Sequence, residues 1–340
     1  MDTIAQKSNS PKWLFPLTVA VAAAAQMIAP LYLVVPALIA ATLLYNDRPA
    51  MYALLALPGY GSALLLYGSS GRAAILSAVF LATIGYAGGV ALCQMQKRKQ
   101  GGFHTAAIVS AISIAALYLS VCLDGVLSGA GAFAATKAQA DFIAEQMLEM
   151  LHTNAVPNIG ELLPSYEAYF ENFGELVVSM LVPSLCIFGS VIGLSNTLLL
   201  RLFVRRDREA LGLLPIRPLR EWSIPKEYSI GITVMLIGSM ILLFMETEFA
   251  DPIAMTVVTL VSIPLFVQAI ALIDWFIVRK GKNILFKRVF MGVLIVLLFG
   301  SISNIIVTLG IFEQIFRARA HFTAMGMGIP SPDADKEEKK

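Results

Sequence analysis

Long apolar runs dominate the chain, parted by short clusters of basic or mixed charge. A helix crosses a bilayer core with about 20 apolar residues, in a tolerated range of roughly 17 to 25. Nine stretches meet or approach that length: 13–29, 31–45, 50–67, 73–95, 103–127, 176–203, 228–244, 252–278 and 289–310. The second is short, and with its neighbour it reads as a tight hairpin or a partly inserted pair. Period-two alternation is absent, so the runs predict helices rather than a membrane barrel. The expected fold is all-α: a polytopic helical membrane bundle with eight to nine transmembrane helices.

Composition agrees with this reading. Of 340 residues, 57% are hydrophobic and 14% charged, against roughly a quarter charged in a soluble domain. The mean hydropathy is +0.75. A net charge of +2 is too small for a polyanion-binding footprint, so nucleic acid is excluded as a partner. Lys7 and Lys12 ahead of an Ala-rich run have the form of a signal peptide. The next apolar run begins at once, at Leu31, so the first run is expected to stay as an uncleaved span.

Basic residues set the orientation. With a cytoplasmic N-terminus and alternating spans, the inner segments hold 18 of the 25 basic residues. They cluster at 97–99, 201–226 and 279–288, and only Arg72 and Lys137 fall outside. The expected location is therefore a cell membrane, multi-pass. The tail is the exception: nine spans place it outside, whereas Arg317 and Arg319, close behind the last span, favour the inside. One miscounted span, with the short second one the first suspect, would change the parity.

The longest outer segment, 128–175, carries Asp141, Glu145, Glu149, Glu161, Glu167, Glu171 and Glu175 against one lysine. Asp141, Glu145 and Glu149 recur every four residues, while Ile143, Met147, Met150 and Leu151 fall on another face. This predicts an amphipathic helix lying on the membrane or on the bundle. Pro164 suits a helix start, and the aromatics from Tyr166 to Phe173 suit the headgroup layer. That helix is expected to run on into the sixth span. The chain thus divides into an N-terminal membrane bundle (1–127), the outer segment (128–175), C-terminal membrane helices with a basic loop at 201–227 (176–316), and a polar tail (317–340) whose last ten residues are expected to be disordered.

Little in the sequence suggests catalysis. P-loop, HExxH and GxSxG signatures are absent, and His104, His152 and His321 are far apart. Cys93, Cys122 and Cys186 sit singly in apolar runs and read as small apolar groups. The protein is expected to be a non-enzyme with neither metal nor cofactor. Packing signals are clearer. Gly85 and Gly89, and Gly189 and Gly193, form GxxxG pairs, and Ala20 and Ala24 repeat the small-residue pattern in the first span. Pro58-Gly59-Tyr60-Gly61 is expected to interrupt the third span, and broken helices at membrane depth line cavities in transporters. Pro183 and Pro264 are expected to kink the sixth and eighth spans. Intramembrane polar residues are costly and point to function or to buried hydrogen bonding. Asn196, Gln268, Asp274 and Asn304 complete the candidate cavity set with Pro58 to Gly61. Six residues separate Gln268 from Asp274, which places them on different faces of one helix.

The stretch from Leu214 to Pro225, with its Trp222-Ser223-Ile224-Pro225, resembles the "W-x-x-P" segment of the YybS-like bacterial membrane proteins. Leu309-Gly310-Ile311-Phe312-Glu313, followed by Phe316-Arg317-Ala318-Arg319, is similar to that family's closing pattern, with Glu313 in place of the usual aspartate. In its N-terminal half the family resembles the substrate-binding subunits of energy-coupling-factor transporters. That resemblance implies that Ala20 and Ala24 dock a membrane partner subunit. Two functions follow as expectations: a transporter-like protein that binds a small-molecule ligand, or a non-transporting envelope scaffold. The lipid bilayer is a partner in both.

Overall fold

The computed structural model describes residues 11–25, 28–67, 71–72, 75–76, 81–131, 133–153, 159–213, 218–245, 250–279, 283–297 and 299–327. Among the described residues there are helices and turns and no strand. The chain parts into two compact units, Met1–Leu214 and Pro215–Lys340, within the basic loop.

In the first unit, α1 (Leu14–Ala24) leads through a 3₁₀ turn (Ala29–Leu33) to α2 (Val35–Tyr45) and α3 (Pro49–Tyr67). A π-helical turn (Leu81–Ala87) opens α4 (Gly88–Lys97), and α5 (Gly102–Ser128) follows. The first part of the expected fourth span lies mostly outside the described residues, as does the polar tail beyond residue 327. The centre of this unit is α2, whose residues from Val35 to Leu43 are all buried. A helix apolar on every side belongs inside a bundle, and α1, α3, α4 and α8 (Phe173–Phe203) all pack against it. Eleven residues make it about 16 Å long at 1.5 Å per residue, well short of a bilayer core. It is therefore buried within protein.

A buried helix start leaves backbone N–H groups without an acceptor. Asn196 of α8 supplies one. Its Oδ1 accepts from the Ala37 N–H at 2.8 Å, and its Nδ2 donates to the Ile192 carbonyl at 2.8 Å. Nearby, the buried hydroxyls of Thr18 and Thr42 share a hydrogen bond of 2.9 Å that joins α1 to α2. Glycines set the close approaches. A Cβ on Gly89 would strike Ile39 and the Pro36 carbonyl, and one on Gly189 or Gly193 would strike Ile114 or Ser110. The expected Gly189/Gly193 packing face is thus the contact of α8 on α5.

Three expectations need correction here. The backbone of α3 is one continuous helix through Pro58–Gly61, because a proline removes a single ladder bond and the turns on either side remain intact. The side chains of Pro58, Gly59 and Tyr60 lie outside the described residues, while Leu57 and Leu65 are exposed. Pro164 sits inside α7 (Ile159–Glu171) rather than at its start. The outer segment does not run unbroken into the sixth span, since α7 ends at Glu171 and α8 begins at Phe173. Pro183 and Pro264 both lie within helices that continue past them. In the outer segment, α6 (Ala134–Thr153) rests on α8 through its small buried residues Ala140 and Ala144. Phe142, Met147 and Met150 are exposed, as an interfacial helix requires. Lys137 pairs with Glu175 at 3.3 Å, and Tyr45 donates to Asp207 at 2.5 Å.

The second unit begins with a 3₁₀ turn (Leu219–Glu221) and continues through α9 (Lys226–Leu243), α10 (Ala250–Arg279), α11 (Ile284–Leu297), α12 (Phe299–Phe316) and α13 (Ala318–Phe322). By length and composition α5, α8, α9 and α10 can cross a membrane, and shorter apolar helices accompany them. The stretch 289–310, expected as one span, is divided between α11 and α12. Their order of partners along α10 shows the chain reversing. Arg288 of α11 pairs with Asp274 near the C-terminal end of α10, and the helix then leaves that end. Gly310 of α12 lies on the Leu265 backbone, and Phe322 beyond it reaches Trp275 and Phe276. Gly300 and Ser301, weak helix formers, fall in the first turn of α12. Arg317 and Arg319 thereby return to the end of the unit that carries Arg279.

Replacing Asn196 with leucine keeps the volume and strands the Ala37 N–H. The expected loss is about 1–3 kcal/mol of stability, read by denaturant unfolding of the detergent-solubilised chain. A change within about 0.5 kcal/mol, the range of neutral surface substitutions, contradicts the capping role.

Candidate functional site

The long helix α10 organises the second unit. Its buried stripe includes Val261, Leu265, Gln268, Leu272 and Trp275, spaced by three and four residues as one helix face demands. Asp274 is also buried, and it has a partner. Arg288 approaches it bidentately, Nε to Oδ1 at 2.6 Å and Nη2 to Oδ2 at 2.9 Å. The planar fork of arginine matches a carboxylate in this way, so the acid is neutralised where it lies.

Beside this pair runs a groove of about 470 Å³, within the usual range of ligand sites, roughly 300–1,000 Å³. Ile270, Ile273 and Ile277 of α10 form one wall, and Met291, Gly292 and Ile295 of α11 the other. Pro218 and Leu219 close one side, and Asp274 and Arg288 are its charged residues. A Cβ on Gly292 would meet open space. The site is apolar over most of its surface and charged at one place, which suits a molecule with an apolar body and a polar end.

The turn that closes the groove is held from two directions. Gln268 Oε1 accepts from the Ile224 N–H at 2.9 Å. Arg319 Nη1 donates to the carbonyls of Arg220 and Trp222 at 2.7 and 2.9 Å, while its Nε donates to Glu313 at 2.6 Å. Glu313 is buried and the Arg319 side chain is only 12% exposed. Arg279 lies over the rings of Trp275 and Phe322, 5.7 and 5.8 Å from their centres. The two sequence segments singled out above, around Trp222 and around Glu313 to Arg319, are therefore parts of one contact.

Within the second unit the expected cavity residues Gln268, Asp274 and Asn304 do not share one site. Asn196 belongs to the first unit, where both ends of its amide are occupied. Gln268 faces the 222–224 turn and Asp274 faces α11, on different sides of α10 as their spacing required. Asn304 is exposed, and its carbonyl accepts from the Thr308 hydroxyl. Of this set Asp274 lines the groove. Ala20 is exposed and Ala24 half-buried, on the side of α1 that also carries Trp13 and Leu17, opposite buried Leu14, Thr18 and Ala22.

Arg288, and the pairing of Arg319 with Glu313, escaped sequence reasoning. Arg288 follows Asp274 by fourteen residues across a helix break, a separation that no single-helix pattern pairs. Six residues part Arg319 from Glu313, and the left-handed Arg317 (φ +48°) lies between them. A basic residue close behind each apolar run was the available signal, and it was spent on orientation.

Removing Arg319 leaves Glu313 as a lone buried charge, at an expected cost of about 3–5 kcal/mol. The double variant Glu313→Leu/Arg319→Met recovers part of that loss, because no unpaired charge remains but the carbonyls of Arg220 and Trp222 still lose their donor. Unfolding of both variants checks this, and an Arg319→Ala protein as stable as the parent refutes it.

The chain belongs to the family described as predicted membrane protein (DUF2232), whose model matches residues 14–313. No curated protein and no solved structure matches it.

Proposed function

We propose that this membrane protein binds an amphiphilic small molecule drawn from the surrounding bilayer, in the groove between α10 and α11, and has no catalytic role. The observation that supports this is the groove itself: apolar walls, a single charged pair, and a glycine that leaves it open. This keeps the ligand-binding half of a transporter-like reading. The resemblance to YybS-like proteins and, beyond them, to energy-coupling-factor substrate-binding subunits points the same way. In that reading the outward Ala20 and Ala24 of α1 receive a membrane partner subunit.

The location that fits is the cell membrane, multi-pass, with the N-terminus cytoplasmic. With the Arg279 end of the second unit inside, Arg220, Lys287, Arg317 and Arg319 are cytoplasmic together, as the positive-inside rule prefers. The alternative, a non-transporting envelope scaffold, draws support from the glycine-tight packing of the first unit and from the unbroken α3. It requires no ligand.

A Cβ at Gly292 meets open space, so Gly292→Phe is placed to obstruct the groove that this residue lines. Labelling of residues 270–295 by a photoreactive amphiphile in native membranes should fall about tenfold, the equivalent of 1.4 kcal/mol in affinity. Labelling that is unchanged, or absent from the parent protein, leaves the scaffold reading standing instead.

A further inference from the structure

The groove has a neighbour. A second one, of about 320 Å³, lies along the same pair of helices. Ile273, Ile277 and Met291 line both, so the two adjoin along the ridge where α10 meets α11. The second is walled by Phe276, Phe286 and Phe290, and its basic residue is Lys287. Two apolar troughs thus run side by side, and each carries one of two consecutive basic residues.

The charges do not cancel. Asp274 offsets Arg288, and nothing among the groove-lining residues offsets Lys287. Both basic residues stand near the start of α11, where the helix dipole adds positive potential. Arg279 lies at the same end of α10. Basic sites of this kind between membrane helices hold anionic lipid headgroups. A molecule with two apolar chains and one negative head fits both troughs at once.

We infer that the two grooves hold the two acyl chains of one anionic phospholipid, with its phosphate at Lys287 and Arg288. The assignment rests on the amphiphile-binding reading and makes the ligand class specific. Two chains are expected because a single-chain molecule leaves one trough empty, and a negative head because a zwitterionic one brings its own cation to a site with spare positive charge.

The test uses the full chain in nanodiscs made from equal parts of phosphatidylglycerol and phosphatidylcholine. After mild delipidation, native mass spectrometry reads the lipid retained. The expected result is one phosphatidylglycerol per chain. Lys287→Gln should lower its share about fivefold, the effect of one basic residue near the surface, and Gly292→Phe should remove it. Lys287 is half-buried and makes no ion pair among the described contacts, so its replacement does not threaten the fold. Equal retention of phosphatidylcholine, or no response to Lys287→Gln, overturns this assignment while leaving amphiphile binding intact. Retention of neither lipid, together with no photolabelling of the groove, overturns both.

Discussion

A polar group in a bilayer has no water to bond, so each one must find its partner inside the protein. Among the described residues this constraint accounts for four prominent sets of buried polar side chains. Asn196 caps the buried start of α2. Gln268 holds the Ile224 N–H, Asp274 is matched by Arg288, and Glu313 with Arg319 serves the carbonyls of Arg220 and Trp222. In three of the four cases the polar side chain satisfies backbone that is irregular or freshly started. Short and broken helices are tolerated in each unit because a neighbouring helix completes them.

Residues committed to holding backbone are poor ligand groups, since recruiting them would strand what they hold. The groove between α10 and α11 avoids the conflict. Its walls are isoleucine, methionine and a glycine, and its one carboxylate is already matched. In the proposed reading, selectivity there would come from shape and from the balance of charge at the start of α11, which suits a lipid-like molecule better than a hydrophilic solute. Arg319 bears on this indirectly, since the turn it holds at Arg220 and Trp222 includes Leu219 of the groove wall.

Much of the fold was legible in advance. The long helices α5, α8, α9 and α10 follow from apolar run length, and the Gly189/Gly193 contact follows from small residues one turn apart. Run length failed at 289–310, because an apolar hairpin and an apolar span have the same composition, and the weak helix formers Gly300 and Ser301 are a faint local signal. It was the tail arginines that showed the tension: they favoured the inside when the count of spans put them outside, and the reversal at α11 and α12 returns them to the Arg279 end. Pro58 to Gly61 misled in the other direction, since a proline followed by glycines permits a break without requiring one. The site was less legible than the fold. Asp274 was visible as a costly residue, but its partner and the groove beside it depend on contacts between helices that no local pattern encodes.

The central claim is that buried polar side chains on these apolar helices serve chiefly as partners for irregular backbone, and amide exchange at Ile224 tests it most directly. Ile224 lies outside any helix, so its protection should depend on the Gln268 side chain. Hydrogen–deuterium exchange of the nanodisc-embedded chain should show a slow Ile224 amide that speeds up at least about tenfold in Gln268→Leu, through local opening rather than global unfolding. An Ile224 amide that exchanges equally fast in both proteins would contradict the account.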